Sequence, residues 1–388
     1  MNFVTDYILK NPPVLLGIIA MIGLLVQRKP FAEVVKGTLT ASFGMVALTA
    51  GVNMLVVTIA PINAAVQTQL GVAVSDGLSD ITFTAEYGGT VGLAMFFGLV
   101  IHLLIARFTP VKTIFLTGHM LWWFPFVIVA GGVEGGLTGI PLLILGAVLS
   151  ACYWSFMPWI MRKYVWDATG DDSFLIGHPT GILSLVSGFV AKRVGNKEKS
   201  TEDLKVPENL SFFREISITG ALVMFLMNIV IGLIAPVLVP EGGNLVMFAV
   251  DAGLNFGAGL LIMLYGVRLL INQIIPAFQG IAEKVVPGAK PAFDVPILFN
   301  YRPNAVIIAM ITSTILVVIA NTTNVFGILI VPLVITSFFE CGGAAVIGEG
   351  QGGLRGAIIG TITASVVMVA LVGISAAMFS TTIQNWIL

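Results

Sequence analysis

Charged residues are scarce in this chain. Only 10% of its 388 residues are Asp, Glu, Lys or Arg, whereas a soluble domain carries about a quarter. A surface so poor in charge cannot be made compatible with water, which excludes an ordinary soluble globular protein. The few charges also nearly cancel, with 19 basic against 20 acidic residues. The net charge therefore gives no reason to expect a nucleic-acid partner.

Cysteine is equally scarce. The two residues present, Cys152 and Cys341, both lie in or beside apolar stretches. They provide neither a disulfide framework nor a CxxC metal pair. The sequence also lacks a Walker loop, an HExxH motif and a nucleophile elbow, which are common carriers of enzyme chemistry. We therefore expect no metal, no cofactor and no self-contained catalytic site.

Apolar sequence, in contrast, is abundant. Hydrophobic residues make up 57% of the chain, and several runs approach the roughly 20 residues that span a bilayer. We expect an all-α polytopic membrane protein with about ten transmembrane helices plus re-entrant hairpins. The candidate spans lie near 12–27, 38–59, 88–106, 113–131, 139–161, 215–238, 244–272, 304–321, 325–339 and 356–379.

The basic residues predict how these spans are oriented. Arg28, Lys29 and Lys36 follow the first span, whereas the loop after the second span has no basic residue. Further basic clusters alternate with connections that have none, such as 240–244 and 321–324. Cytoplasmic loops carry the excess of Lys and Arg. The distribution therefore predicts a multi-pass protein whose N-terminus lies outside.

Two short motifs recur along the chain. "EGGLTG" at 134–139 is followed 217 positions later by "QGGLRG" at 351–356, and "GVNMLVVTIAP" at 51–61 parallels "GVRLLINQIIP" at 266–276. The second copy of each motif contains an Arg where the first copy has a neutral residue. This difference is expected if the second copies face the cytoplasm. Chance similarity between Gly- and Leu-rich segments is the alternative.

We therefore predict two inverted repeats of five spans each, about 12–161 and 215–379. A cytoplasmic loop, 162–214, joins them and contains a possible re-entrant segment, 174–190. The whole of 1–388 is expected to form a single transporter unit. Inverted repeats are typical of transporters whose substrate site lies near the bilayer midplane, where interrupted helices meet.

Ionisable side chains at membrane depth are costly and usually functional. Glu86 and Tyr87 precede a Gly-Gly break and are candidates for substrate binding, with a solvated outer loop as the alternative. His119 lies in a weakly apolar span that ends in Trp122 and Trp123. These rings suit either a membrane interface or the apolar face of a sugar. For His119 itself, the alternative is a hydrogen-bonded core residue.

An apolar segment, 174–190, stands inside the otherwise charged loop. Gly177 and Pro179 interrupt any helix around His178, and Thr180 is adjacent. A re-entrant tip that lines a cavity is tolerated in a bilayer, and we predict one here that binds substrate. An amphipathic helix on the inner membrane surface is the alternative.

Segment 285–305 holds four prolines, so an uninterrupted helix is impossible there. Asp294 lies within it, where an unwound backbone can turn a carboxylate toward bound hydroxyl groups. We therefore predict a substrate-binding role for Asp294. The alternatives are a helix cap or an ion pair with Lys290 or Arg302.

A Gly-rich segment, 338–356, carries Glu340 and Glu349. We expect a hairpin here, and the two acids are candidates for coupling transport to protons, because a buried carboxylate with a raised pKa can carry a proton. The segment contains a formal G-x-G-x-x-G pattern, but no strand is expected before it, which argues against a dinucleotide site.

Several stretches carry a resemblance to a known family. They are "IFLTGHM", "FLIGHPTG", "STEDLKVPENLSFF", "YGVRLLINQIIPAFQGIAEKVVPGAKPAFD" and "RPNAV", in an order and spacing that extend over about 12–360. The chain resembles the ascorbate-type enzyme IIC of the bacterial phosphoenolpyruvate-dependent sugar phosphotransferase system, within the ascorbate/galactitol superfamily.

The resemblance implies a homodimer in the bacterial inner membrane. Each protomer would consist of a V-shaped dimerisation part, the V-motif, and a mobile core that carries substrate by an elevator-like movement. A separate IIB protein, charged on cysteine and supplied by IIA, would phosphorylate the sugar at the cytoplasmic face. The family motifs place His119, His178 and Asp294 in the core site.

The chain also departs from the family pattern. Pro179 and Thr180 stand where glutamines follow the "IGH" histidine, and Glu340 and Glu349 replace neutral polar residues. The leading hypothesis is a phosphotransferase-system transporter of a sugar acid or related polyol. The alternatives are a proton-coupled or facilitative transporter that works without IIB, and a membrane sensor that binds sugar without moving it.

Overall fold

A computed structural model describes residues 11–70, 80–118, 120–204, 215–284, 286–322 and 333–379. These residues are mostly helical. Their helices are α1 (Pro12–Val26), α2 (Phe31–Leu70), α3 (Asp80–Phe108), α4 (Met120–Glu134), α5 (Gly139–Thr169), α6 (Gly181–Val194), α7 (Ile216–Ile234), α8 (Leu245–Lys284), α9 (Pro296–Phe299), α10 (Pro303–Thr322) and α11 (Leu333–Phe379). Short 3-10 turns occur at Thr201–Asp203 and Pro236–Leu238.

Six of these helices are long and apolar enough to cross a membrane, namely α2, α3, α5, α7, α8 and α11. Parts of α1, α4 and α10 are apolar but shorter. Large apolar side chains also cover the outer surface, among them Phe43, Leu104 and Ile160, as expected where lipid replaces water. The prediction of a mostly helical, multi-pass membrane protein is confirmed. The count of about ten spans and the external N-terminus stay predictions.

Helices α2 and α8 pack closely against each other through glycine. A Cβ atom added at Gly51 would collide with the backbone of Met263, and one at Gly266 would collide with the backbone of Leu48. Small residues at such contacts let two membrane helices approach backbone to backbone. Both helices are 40 residues long and contain one internal proline, Pro61 or Pro276. The two prolines are the last residues of the paired motifs found in the sequence.

The two "GGLxG" motifs form turns with a shared backbone feature. Between α4 and α5 the chain turns at Gly136, whose φ is 78°. Helix α11 is interrupted at Gly352 and Gly353, and the φ of Gly353 is 59°. The predicted hairpin at 338–356 therefore needs correction, because the chain stays helical as far as Gln351 and turns only at the two glycines.

Most of the predicted span 325–339 lies outside the described residues.

Three short strands add a small sheet that the all-α prediction omitted. They are β1 (Thr113–Phe115), β2 (Leu175–Ile176) and β3 (Lys290–Phe293). Strand β3 lies in the centre and pairs in parallel with both β1 and β2. The predicted span 113–131 is thus a strand followed by α4. Strands this short cannot display the alternation that marks a strand in sequence, and their pairing depends on residues far apart in the chain.

The largest apolar core lies along α1, α2, α8, α10 and α11 and continues to the sheet. It includes Leu16, Met45, Met263, Met310 and Ile347. A smaller core between α3, α4 and α5 is built on Phe83, Phe126 and Leu142. The sheet therefore lies where the core helices converge.

Candidate functional site

The three parallel strands end at one edge of the sheet. Beyond that edge, β1 leads to Thr117 and Gly118, β2 leads to the turn 177–180, and β3 leads directly to Asp294. Each segment then starts a helix, α4, α6 or α9. Because the carboxyl ends of parallel strands meet on the same side, three remote parts of the chain present loop residues together. Such an edge is a common position for ligand sites in parallel sheets.

His178 and Asp294 meet at this edge. The Nε2 atom of His178 lies 3.7 Å from Oδ1 of Asp294, and the side chains are only 6% and 16% exposed. The two sequence-predicted residues are therefore neighbours in a largely buried position that still reaches the surface of the protein.

Thr180 fixes the orientation of the His178 ring. Its hydroxyl lies 2.7 Å from Nδ1 of His178, and its backbone N–H donates to the same nitrogen at 3.3 Å. Since Nδ1 accepts a hydrogen bond, the ring proton of neutral His178 is on Nε2, the atom that faces Asp294. The site thus presents a donor and a carboxylate side by side.

Two residues that the sequence analysis missed hold the turn around His178. The Tyr153 hydroxyl of α5 donates to the carbonyl oxygens of His178, at 3.0 Å, and Pro179. The Thr117 hydroxyl donates to the carbonyl oxygen of Gly177. These bonds satisfy carbonyls of an irregular segment, which are costly to leave without a partner. No sequence motif marks a side chain that bonds only to a remote backbone.

His102 supports the sheet from α3. It is fully buried, and its Nε2 atom accepts a hydrogen bond from the backbone N–H of Phe115 at 3.0 Å. Its Nδ1 atom lies 2.8 Å from the hydroxyl of Ser155. Phe115 belongs to β1, which lies at an edge of the sheet, so His102 satisfies an amide that has no neighbouring strand on that side.

Glu340 lies near the same site. It is on α11, one turn before Gly343, where an added Cβ atom would contact Val295. Asp294 is close enough for its charge to act on the Glu340 carboxyl group. The Oε2 atom of Glu340 is buried and makes no hydrogen bond among the residues that the structure describes.

Glu349 lies elsewhere, at the turn end of α11. Its carboxylate accepts hydrogen bonds from the hydroxyls of Ser200 and Thr201, at 2.5 and 2.6 Å, and from the backbone N–H of Thr201 at 2.9 Å. Arg302 pairs with it at 3.0 Å. These contacts join α11 to residues 200 and 201 and to Arg302, so Glu349 is an anchor for the loop at 200–204.

The remaining predicted residues have different surroundings. Glu86 is exposed on α3, and Tyr87 hydrogen bonds to it and stacks on Phe83 with ring centroids 4.7 Å apart. Trp122 and Trp123 pack against the same small core of α3, α4 and α5. His119 lies outside the described residues.

A cavity of about 290 Å³ lies beside the sheet, lined by Asp171, Phe174, Arg268, Phe293, Ile297, Asn300 and Tyr301. Burial, together with the charge of Asp171, raises the pKa of Tyr301. Nearby, Asp172 is exposed and pairs with Lys290 at 2.9 Å, and this hydrogen bond and charge lower the pKa of Asp172.

Among the described residues, no group of three His, Cys, Asp or Glu side chains is arranged to hold a metal ion. The site consists of hydroxyl, imidazole and carboxyl groups, with the backbone amides of α4 and α6 starting beside it. Such an arrangement can bind a polyhydroxylated ligand by hydrogen bonds.

Comparisons with known proteins agree with this architecture. A family model described as "PTS system sugar-specific permease component", EIIC-GAT, matches residues 7–387. The chain is also similar to the "Ascorbate-specific PTS system EIIC component" of Mycoplasma pneumoniae, at 24% identity over 421 residues. That alignment covers 91% of this chain and 63% of the relative, so the chain spans less than two thirds of the relative's length. The resemblance found in the sequence is confirmed, and the chain belongs to the EIIC-GAT family of sugar-specific permease components of the phosphotransferase system.

Proposed function

We propose that this protein moves a sugar acid or a related polyol across the bacterial inner membrane as the IIC component of a phosphotransferase system. The observation that carries the proposal is the convergence of His178 and Asp294 at the carboxyl edge of a parallel sheet, in a chain of this family. A separate IIB protein, supplied by IIA, phosphorylates the sugar at the cytoplasmic face. The protein binds the sugar and moves it across the membrane, and IIB supplies the phosphoryl group.

The geometry of the site suits a hydroxyl group. The contact of 3.7 Å between His178 and Asp294 is longer than a direct hydrogen bond. A hydroxyl can accept from Nε2–H of His178 and donate to the Asp294 carboxylate at the same time. Thr180 supports this by keeping the proton of His178 on the correct nitrogen. We also assign His119, Glu86 and Tyr87 to substrate binding from the sequence motifs.

The transporter is proposed to contain two inverted repeats, about 12–161 and 215–379. The internal prolines of α2 and α8 and the left-handed glycines Gly136 and Gly353 support this pairing, because both occur at corresponding positions of the two halves. Substrate crosses by an elevator-like movement of a core domain that contains the sheet. The V-motif of each protomer forms a homodimer.

Transport assays test this function. Right-side-out membrane vesicles that contain the protein and enclose phosphorylated IIB would be supplied with labelled ascorbate or hexitols from outside. We expect accumulation of a phosphorylated product that continues when an uncoupler collapses the proton gradient. Accumulation of unphosphorylated sugar that stops with the uncoupler would contradict the proposal.

One observation favours a second function, a proton-coupled transporter of the same fold. The Oε2 atom of Glu340 is buried within range of the charge of Asp294 and makes no hydrogen bond among the described residues. Buried carboxylic acids are typical of proton pathways in membranes. The same uncoupler experiment separates the two functions, because only the second requires the gradient.

A further inference from the structure

The cavity beside the sheet adjoins the site of His178 and Asp294. Its volume of about 290 Å³ is that of the smallest pockets that bind small molecules. Phe293, which lines it, is the last residue of β3 and directly precedes Asp294 in the chain. His178 and Asp294 are not among the lining residues. The cavity is therefore a neighbouring space with its own set of side chains.

Three hydrogen-bond donors line this cavity. Nη2 of Arg268, on α8, donates to Oδ1 of Asn300 at 3.2 Å, which uses one of the five guanidinium N–H groups and leaves the amide group of Asn300 as a donor. In the part of the chain that the structure describes, no carboxylate pairs with Arg268. The third donor is the Tyr301 hydroxyl, which keeps its proton because burial and the charge of Asp171 raise its pKa.

The cavity also contains groups that suit a carbohydrate. The Asp171 carboxylate accepts a hydrogen bond from the backbone N–H of Ser173 at 2.8 Å, and it retains lone pairs for hydroxyl donors. The ring of Phe174 lies 6.1 Å from that of Tyr301 and 6.2 Å from that of Phe293, measured between centroids. Aromatic rings of this kind pack against the C–H groups of a sugar. A ligand that carries both an anionic group and hydroxyls is complementary to this lining.

We propose that this cavity binds the phosphate ester of a sugar or polyol, with its phosphate on Arg268 and its hydroxyls facing Asp171. The inference rests on the proposed function, of which such an ester is the product. A guanidinium group holds two phosphate oxygens at once. Arg268 also belongs to the motif copy 266–276, which the basic residues predict to face the cytoplasm, where the ester is formed. The cavity gives the ester a place to bind after it leaves His178 and Asp294.

Isothermal titration of the purified full-length protein tests the proposal. The probes are sorbitol 6-phosphate and L-ascorbate 6-phosphate, and the comparison ligands are the two unphosphorylated compounds, inorganic phosphate and phosphoethanolamine. We expect at least one ester to bind more tightly than inorganic phosphate. Arg268→Gln should weaken that ester at least tenfold and leave the unphosphorylated compound unaffected, whereas Asp294→Asn should do the opposite. Tyr301→Phe should weaken the ester roughly two- to tenfold, the usual net value of one hydrogen bond.

Arg355→Gln is the matched control, because Arg355 is also an exposed arginine but does not line the cavity. An ester affinity that stays unchanged in folded Arg268→Gln, or that falls equally in Arg355→Gln, would overturn the proposal. Binding of phosphoethanolamine as tight as that of both esters would also overturn it, because the cavity would then recognise a lipid headgroup.

Uptake by vesicles that enclose phosphorylated IIB separates failure of this inference from failure of the proposed function. Phosphorylating uptake by a protein that binds neither ester would overturn the inference and leave the transport function intact. Ester binding that depends on Arg268, in vesicles that form no phosphorylated product, would support the cavity site and contradict the proposed function.

Discussion

Gly136 and Gly353 both have a positive φ, 78° and 59°, but among the described residues only Gly353 is closely surrounded by other parts of the chain. Apart from its two chain neighbours, no atom of the described residues lies within 4 Å of a Cβ atom added at Gly136. A Cβ atom at Gly353 would overlap the carbonyl oxygens of Asn196 and Lys199. The same motif thus forms a free turn in one half and a packed turn in the other.

This difference predicts that alanine substitutions at Gly136 and Gly353 lower the stability of the protein by unequal amounts. Gly136→Ala should cost about 1–2 kcal/mol, the strain of a left-handed residue with a side chain. Gly353→Ala adds a steric clash and should cost about 3 kcal/mol or more in total. Apparent melting temperatures of the purified variants measure the effect. Equal losses in the two variants would mean that the contact with the 196–199 segment is absent in the protein.

Neutralising Asp294 should abolish substrate binding. Asp294→Asn keeps the shape of the side chain but removes the charge that faces Nε2 of His178, and a hydrogen bond to a charged group is about twice as strong as one between neutral groups. Isothermal titration of purified protein gives the measurement. Asp172→Asn is the control, because Asp172 is exposed and pairs with Lys290 at the surface. Unchanged affinity in Asp294→Asn would remove Asp294 from the site.

The Thr180 hydroxyl should affect affinity through the ring of His178. Thr180→Val removes the group that lies 2.7 Å from Nδ1, so the ring loses one partner and its orientation becomes less fixed. We expect binding that is weaker by roughly two- to tenfold, the usual net value of one hydrogen bond. Thr180→Ser, which retains the hydroxyl, should restore most of the affinity. If Thr180→Ser lost as much affinity as Thr180→Val, the hydroxyl contact to His178 would not account for the effect.

Removal of the Glu349 carboxylate should release the loop at 200–204. Glu349→Ala leaves Arg302 without its ion-pair partner, and Ser200 and Thr201 lose their acceptor. A loss of about 2–4 kcal/mol is expected, since these groups are largely buried. Hydrogen exchange should become faster at Thr201 and Glu202 in particular. Glu198→Gln, an exposed position two residues before this loop, should change exchange little, and equal protection in both variants would contradict the anchoring role.

Substitution of His102 should loosen β1. His102→Ala removes the acceptor of the Phe115 N–H and leaves a cavity between α3 and α5, for which we expect a loss of about 2–4 kcal/mol. His102→Gln can offer an acceptor in a similar position and should recover part of the lost stability. Exchange of the Phe115 amide is the specific readout. A protected Phe115 amide in the Ala variant would show that another group holds the strand.

The membrane class and the positions of the main helix breaks follow from the amino-acid sequence alone. A chain with few charges and long apolar runs is not stable as a folded protein in water. In a bilayer its backbone groups must be hydrogen bonded within the protein, and helices satisfy this requirement. The four prolines of 285–305 and the Gly-Pro interruption around His178 likewise exclude continuous helices, because proline removes a donor and clashes with the preceding turn.

The role of these breaks in the site depends on the three-dimensional fold. The sheet of β1, β3 and β2 joins segments that are remote in sequence, and it alone places His178 beside Asp294. The two glutamates of α11 are separated in the same way, since Glu340 lies within range of the charge of Asp294 and Glu349 anchors a loop. Sequence patterns report which face of a local element is apolar, whereas a site made of several elements depends on long-range packing that no local pattern encodes.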